Sequence, residues 1–197
     1  MRSWPSVPAS RVRRQPKAAA RSRALCYTFV VSSDIEYFRK DPDHCMVAWK
    51  RALVWYSVGE VDEPQVDEMM GYFDQMAARY PDGFCFALYA KDSCKLPNAS
   101  GRKAASTMFA AQKDRLSGMA ALFEGHGFFM ASARAVLSTM LALARQPFET
   151  HVSGDLAETC AWLCARTPDL RELPDGAVQL AAILEQIASE HASLAAA

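Results

Sequence analysis

From Ile35 onward the chain switches between short stretches with a hydrophobic period of two and longer stretches with a period of three to four. Ile35 to Lys40 reads as a strand, Asp41-Pro42-Asp43-His44 as a turn, and Cys45 to Arg51 as the returning strand. The turn has chemistry behind it, because proline presets φ and aspartate bonds its own backbone. Met46 and Ala48 alternate with Val47 and Trp49, as on the two faces of a sheet. Leu53 to Val58 continues apolar and is expected to extend or bend that second strand.

Val61-Asp62-Glu63-Pro64 opens a helix, with proline suited to the first turn and the acids to the positive end of the dipole. Val66, Met69, Met70, Phe73, Met76, Ala77 and Tyr80 form its apolar face, and Pro81-Asp82-Gly83 ends it. The methionines fit a core, or an adaptable contact surface. Phe84 to Ala90 is nearly all apolar, as in a strand covered on both faces. The loop Lys91 to Ser100 leads to a helix expected over Gly101 to Leu116, with Met108, Phe109 and Gln112 on one side and Ser100 as its cap. Met119 to Phe123 is a short strand, and Glu124-Gly125-His126-Gly127 turns into a helix carrying Phe129, Ala133, Val136, Leu137, Met140 and Leu141.

Pro147 to Val152 is a further strand, and Ser153-Gly154-Asp155 starts a helix with Asp155 and Glu158 at capping-box spacing. Its buried stripe is Leu156, Cys160, Leu163 and Cys164. Pro168 and Pro174 bracket a connector, and Asp175 is placed to cap a last helix bearing Leu180, Ile183, Leu184, Ile187 and Leu194. Strands alternating with helices imply crossover units. The expected fold is α/β: a mixed, mostly parallel sheet of about four to five strands, an N-terminal antiparallel hairpin, about four packed helices and an extra C-terminal helix. That division gives a basic leader at 1–23, an α/β domain at 24–166, and a linker with the last helix at 167–197. The last helix is expected to pack on the sheet as a lid, with homodimerisation through it as the alternative.

Charge changes the picture at the N-terminus. Seven of the 22 basic residues lie in 1–23, which holds no acid, so the remainder carries 15 basic against 22 acidic residues. A net acidic body has no surplus to neutralise phosphates, which excludes nucleic acid as the main partner. The leader reads as a disordered tail or an upstream extension from a misassigned start. The alternative is an address or anionic contact, Arg-rich like a transit peptide and without a secretory apolar core. The longest apolar stretch, Phe128 to Ala144, is interrupted by Arg134 and reads as a core helix, so no membrane span is expected.

Six cysteines occur without a Cys-x-x-Cys pair, and Cys160 and Cys164 share a helix face as small hydrophobes. With His151 the only close imidazole, no metal and no cofactor is expected. Reduced thiols point to the cytoplasm. His44, His126 and His151 could each serve a nucleophile, but no Gly-x-Ser-x-Gly elbow exists, and no serine or cysteine stands in a recognised activating context. Asp41 and Asp43 read as turn formers.

Three segments carry a family likeness. They are the hairpin Ile35 to Arg51, the helix region Gly125-x-Gly127-Phe128-Phe129-x-Ala131-Ser132-x-Arg134-Ala135-Val136-Leu137, and Phe148 to Leu163 ending in Trp162-Leu163. With the element order, these resemble the STAS/SpoIIAA-like superfamily over roughly Ile35 to Arg166. The resemblance implies a small sheet with packed helices that acts by protein contact or small-ligand binding. Its best-known members place a phosphorylatable serine at a helix start in an Asp-Ser-Ser-Gly-like motif. Here Asp92-Ser93 follows the strand but continues Cys-Lys-Leu-Pro, while Ser100-Gly101 stands nearer the helix start.

These readings converge on a non-enzymatic, cytoplasmic regulatory domain that meets a protein partner through its strand-end loops. The candidate contacts are Lys91, Asp92, Ser93, Ser100, Gly125, His126 and Gly127, with Ser93 and Ser100 as possible phosphosites. The glycines flanking His126 would let an anion approach helix-start amides. One alternative is a small-molecule or lipid carrier with a cavity lined by Met108, Phe128 and Phe129. Another is an enzyme that uses His126.

Overall fold

The computed structural model describes residues 34–91, 94–95, 97–125, 128–143 and 148–195. The chain runs β1 (Ile35–Lys40), β2 (His44–Trp49), β3 (Ala52–Ser57), α1 (Glu63–Arg79), β4 (Phe84–Ala90), α2 (Ala99–Ala111), β5 (Leu116–Phe123), α3 (Phe128–Leu143), β6 (Glu149–Ser153), α4 (Leu156–Arg166), α5 (Pro168–Arg171) and α6 (Gly176–Ala195). The strands form one sheet in the order β1-β2-β3-β4-β5-β6. β1, β2 and β3 pair antiparallel, and β3 to β6 pair parallel. The architecture is therefore the expected mixed α/β sheet with an antiparallel start.

Among the described residues six strands stand where four to five were expected. The extra one is Leu53 to Val58, which does not extend β2 but reverses as β3. Trp49 pairs with Ala52 across a turn of Lys50 and Arg51, and Lys50 sits at φ 51°. Such two-residue hairpins favour Gly or Asn at positive φ, and this one has neither. The first hairpin does follow its sequence signal: Asp41 Oδ1 accepts from the Asp43 and His44 amides at 2.9 and 2.8 Å.

The three crossovers β3-α1-β4, β4-α2-β5 and β5-α3-β6 all step the same way along the sheet. A uniform hand then lays their helices on one face. Met46, Ala48, Leu53, Trp55, Phe84, Phe86 and Met119 meet Val66, Met69, Phe73 and Met76 of α1 and Met108 of α2 there. The alternate residues, including Val47, Trp49, Val54, Tyr56, Ala87, Tyr89 and Leu122, form the opposite face. After β6 the described residues form α4, α5 and α6, which cover that face. Cys160, Leu163 and Cys164 pack there with Leu180, Ile183, Leu184 and Ile187. Four of the five stripe residues of α6 are thus buried within the chain, while Leu194 stays exposed, and Glu190 ties the helix to β1 by accepting from Lys40 Nζ at 2.7 Å and Tyr37 Oη at 3.0 Å.

Caps refine the helix starts. Asp62 caps α1 in a full capping box with Gln65. Asn98 caps α2, accepting from the Gly101 amide at 2.8 Å, so the helix begins before Ser100 and ends at Ala111, leaving Leu116 to open β5. Asp155 accepts from the Glu158 amide at 2.8 Å, but the reciprocal bond belongs to Ser153, whose Oγ accepts from the Asp155 amide and donates to Glu158. Asp155→Ala removes an exposed cap and should cost about 1 kcal/mol, read as a lower urea midpoint with unchanged slope.

Candidate functional site: the rim at the carboxyl ends of the strands

Parallel strands put their carboxyl ends on one edge, the usual place for ligands and partners in open α/β sheets. Here Ser57, Ala90, Phe123 and Ser153 end β3 to β6, and His44, which opens β2, joins them because β2 runs the other way.

Two strand-end loops are fastened together at this rim. Lys91, just past β4, forms an ion pair with Glu124, just past β5, and its ammonium lies 5.2 Å from the centre of the Tyr89 ring. Tyr89 Oη donates to the same carboxylate. Burial works to raise the Glu124 carboxyl, but the bonds from Lys91 and Tyr89 outweigh it and hold the group below its ordinary value. Tyr89 is pushed up by burial and by Glu124. The side chains of Lys91 and Glu124 remain 31% and 40% exposed, so the cluster is reachable from solvent. Gly125 follows at φ 131°, a conformation that favours glycine.

Ser100 is exposed in the first turn of α2 and donates to Asn98 Oδ1 at 2.8 Å. Asn98 in turn donates to Glu60 Oε1 at 3.2 Å, docking the end of the loop on the β3–α1 connector. Among the expected site residues, Lys91, Ser100 and Gly125 therefore lie at strand or helix ends, with Lys91 joined to the neighbour of Gly125. Asp92, Ser93, His126 and Gly127 lie outside the described residues.

Two features of the rim escaped the pattern of the sequence. Arg134, the lone charge in the apolar α3, donates from Nη1 to Phe123 O at 3.0 Å and lies against Gly154, where a Cβ would stand 2.9 Å from it. That lone charge was the available signal. The second feature is a buried polar cluster around His44, which is 1% exposed. Gln65 Nε2 lies 2.5 Å from His44 Nε2, Ser57 Oγ lies 3.2 Å from Nδ1, and Trp55 Nε1 lies 3.3 Å from Nδ1. Burial lowers the pKa of His44, with Asp41 opposing. Cys94 lies above it, with Sγ 3.8 Å from Ser57 Oγ. No local motif links positions 44, 57, 65 and 94.

The other chemistry-bearing groups are occupied elsewhere. His151 stacks on Trp162 with ring centres 5.2 Å apart, beside Glu158. Cys45 and Cys164 are pushed up to about 11, and Cys85 and Cys160 to about 12, all by burial first. They behave as small core hydrophobes. Among the described residues, no group of three or more His, Cys, Asp or Glu is arranged to hold a metal ion.

Beside His44 is a hollow of about 10 Å³, lined by Arg39, Gln65, Glu68 and Tyr72 among others, room for about one water. An open groove of about 490 Å³ lies by Tyr80, Pro81 and Arg115, at the opposite edge of the sheet. Met108 is fully enclosed in the packed α1/α2 core.

The chain thus defines an α/β domain with a layer of helices on each sheet face and its loops fastened at the carboxyl rim. No family model matches it, and no curated protein does. Among solved structures it is similar to an uncharacterised DUF3478-family protein with a SpoIIAA-like fold from Shewanella loihica PV-4. The two share 14% identity, the match covers 66% of this chain and 92% of the other, and the TM-score is 0.44. No helix among the described residues is long and apolar enough to cross a membrane.

Proposed function

We propose that this protein is a non-enzymatic regulatory domain of STAS-like type, which meets a protein partner through the carboxyl-end rim. The observation that carries this reading is the Tyr89–Glu124–Lys91 cluster. It fastens two strand-end loops into one half-exposed patch of paired charge. Such a patch suits a complementary protein surface, where charge sets partner choice and register. The carrier reading is less favoured, because Met108 is wholly buried among apolar residues of the α1/α2 core; the side chains of Phe128 and Phe129 lie outside the described ones. Phosphorylation of Ser93 or Ser100 is the proposed control. A phosphate on Ser100 would sit at the positive end of α2 and add about −1.5 to −2 charge beside the loop. Intact-mass analysis of chain from its native cells, compared with Ser93→Ala and Ser100→Ala variants, tests that control separately from the interface.

The interface is tested by affinity capture from source-cell extract with mass-spectrometric identification. Glu124→Lys places two like charges together and should reduce retention of the captured partner at least about tenfold. Asp74→Lys, at the far edge of the sheet, should leave retention unchanged. The thermal midpoint should fall modestly in Glu124→Lys, because the exposed ion pair contributes about 0–1 kcal/mol and the hydroxyl of the buried Tyr89 loses its acceptor at a cost of about 1–3 kcal/mol, so retention is compared well below that midpoint. Equal retention by wild type and Glu124→Lys, or robust turnover of a substrate by the purified chain, overturns the reading.

A further inference from the structure

We infer that His44 is a proton-operated latch, and that its protonation loosens the start of α1 together with Cys94 and Asn98, which rest on the connector before it. This deepens the rim reading by supplying a control on the same surface, and it rests on that reading only for its biological consequence.

The geometry makes the ring intolerant of a second proton. The Asp62 amide donates to Gln65 Oε1 at 2.8 Å, which turns the Gln65 NH2 toward His44 Nε2. Trp55 Nε1 also points its N–H at Nδ1, at 3.3 Å, so two donors converge on a ring that offers one lone pair when neutral and none when charged. With the shorter contact, from Gln65, accepted at Nε2, the neutral ring's proton is on Nδ1 facing Ser57 Oγ, and the Trp55 bond is left unmade. Both ring nitrogens are therefore met by donors. Adding a proton to Nε2 sets N–H against the amide NH2 of Gln65. Relief requires that amide to rotate and offer its oxygen to His44, and the Asp62 amide then loses its partner. The Gln65 amide is thus an element with two settings: one closes the capping box, and the other serves an imidazolium.

Asp41, Asp43 and a hydrogen bond to the Glu60 backbone favour the charged ring, but burial outweighs them. On β1 and the first turn stand Arg39, Asp41 and Asp43; Arg39 opposes the imidazolium, while the two aspartates favour it. Asp41 is already committed to Arg39 and to the Asp43 and His44 amides. β3 offers Trp55 and Ser57, and the approach to α1 offers the Glu60 backbone, Asp62, Gln65, Glu68 and Tyr72. Glu68 is engaged by Arg39 and Tyr72. Cys94 comes from the loop, and burial outweighs the Ser57 contact to raise its thiol.

The latch reaches the rim through the β3–α1 connector. Gly59 O lies 3.5 Å from Ser57 Oγ and 3.7 Å from Cys94 Sγ. Glu60 accepts from Asn98, and Val61 O abuts Gly101 in the first turn of α2. A change at Gln65 and Ser57 is therefore passed to the loop and to the α2 start by direct contact.

The sign follows from linkage. The closed latch favours neutral His44, so it holds above the ordinary histidine value of about 6.5 and weakens as pH falls below it, by up to tenfold per pH unit. Hydrogen exchange of the full chain tests this, with rates corrected for the intrinsic effect of pH. Between about pH 7.5 and about pH 5.5, the amides of residues 61, 62, 63, 65, 94, 95 and 98 should exchange at least about tenfold faster, while those of β4 and β5 hold. His44→Gln, which cannot titrate, should abolish that step. Should His44→Gln fail to fold, NMR titration of the wild-type imidazoles decides: the step must track His44 and not His151 or His191. A step that persists in His44→Gln, one that follows another histidine, or no step at all overturns the latch. None of these readouts needs a partner, so their failure is separable from failure of the interface.

Discussion

Phe73→Ala should cost about 3–5 kcal/mol, among the largest effects of any single truncation in this chain. Phe73 lies mid-way along α1 with no exposed surface, and its ring contacts two rings of β4: Phe84 at 5.6 Å, edge-on, and Phe86 at 4.9 Å, tilted. The loss combines the transfer energy of a whole aromatic side chain, the cavity left behind, and two aromatic contacts of about 0.5–1.5 kcal/mol each. The site collapses poorly, because strand residues fix one wall and Val66, Met69 and Met76 of the same helix are themselves buried. Against a total stability of about 5–15 kcal/mol, this removes about a fifth or more. Urea unfolding measures it as a lower midpoint with unchanged slope. Phe73→Leu, which keeps most of the volume, should lose far less. A loss below about 1 kcal/mol for Phe73→Ala would show that α1 is not clamped to the sheet through this ring.

The same helix shows why much of the fold was legible in the sequence. Val66, Met69, Phe73 and Met76 repeat at helical spacing, and all four are buried on one face. Phe84 to Ala90 lacks alternation because both of its faces are covered, one by α1 and α2 and the other by α4 and α6. From strands alternating with helices, the parallel sheet and its shared rim followed directly. What stayed hidden was either a local departure or a distant contact. The Lys50-Arg51 reversal uses a positive φ at lysine, so nothing in its composition announces a turn. At the start of α2, Asn98 and Ser100 are both able to cap; the cap fell to Asn98, which also reaches Glu60, while Ser100 donates to it.

The rim was legible only as a place. The element order put Lys91 and Glu124 at adjacent strand ends, but their ion pair depends on the register of β4 against β5, where Ala90 stands opposite Phe123. A single sequence does not supply that register. The His44 cluster was less legible still. It joins the start of β2, the end of β3, the first turn of α1 and a loop after β4, four segments that only the folded sheet brings together. Each of its residues, read alone, looks like an ordinary turn, strand or helix residue.

The second large effect concerns the placement of the rim itself, and its sign is diagnostic. In a helix, alanine is ordinarily better than glycine by about 0.5–1 kcal/mol, because glycine loses more backbone freedom on folding. Gly71 of α1 obeys that rule: a Cβ there meets nothing within 4 Å, so Gly71→Ala should raise stability by about that amount. Gly101 should reverse it. Its Cβ would stand 2.4 Å from Val61 O, 3.2 Å from Val61 C and 3.3 Å from Asp62 Cα. All three atoms are backbone, held by the Asp62 cap of α1 on one side and the Asn98 cap of α2 on the other. No rotamer change can relieve the overlap, so Gly101→Ala must push α2 away from the connector at a cost of about 1–3 kcal/mol, typical of overpacking. The bond from Asn98 to Glu60 would stretch with it, and the loop that carries Cys94 would lose its seat. Thermal midpoints of the two variants should therefore move in opposite directions, Gly71→Ala up and Gly101→Ala down. Gly101→Ala should also raise exchange at residues 94, 95 and 98 at neutral pH, mimicking the open latch while His44 remains neutral. Two midpoints moving up together would mean that α2 does not rest on the connector, and the path from His44 to the rim would be broken at that contact.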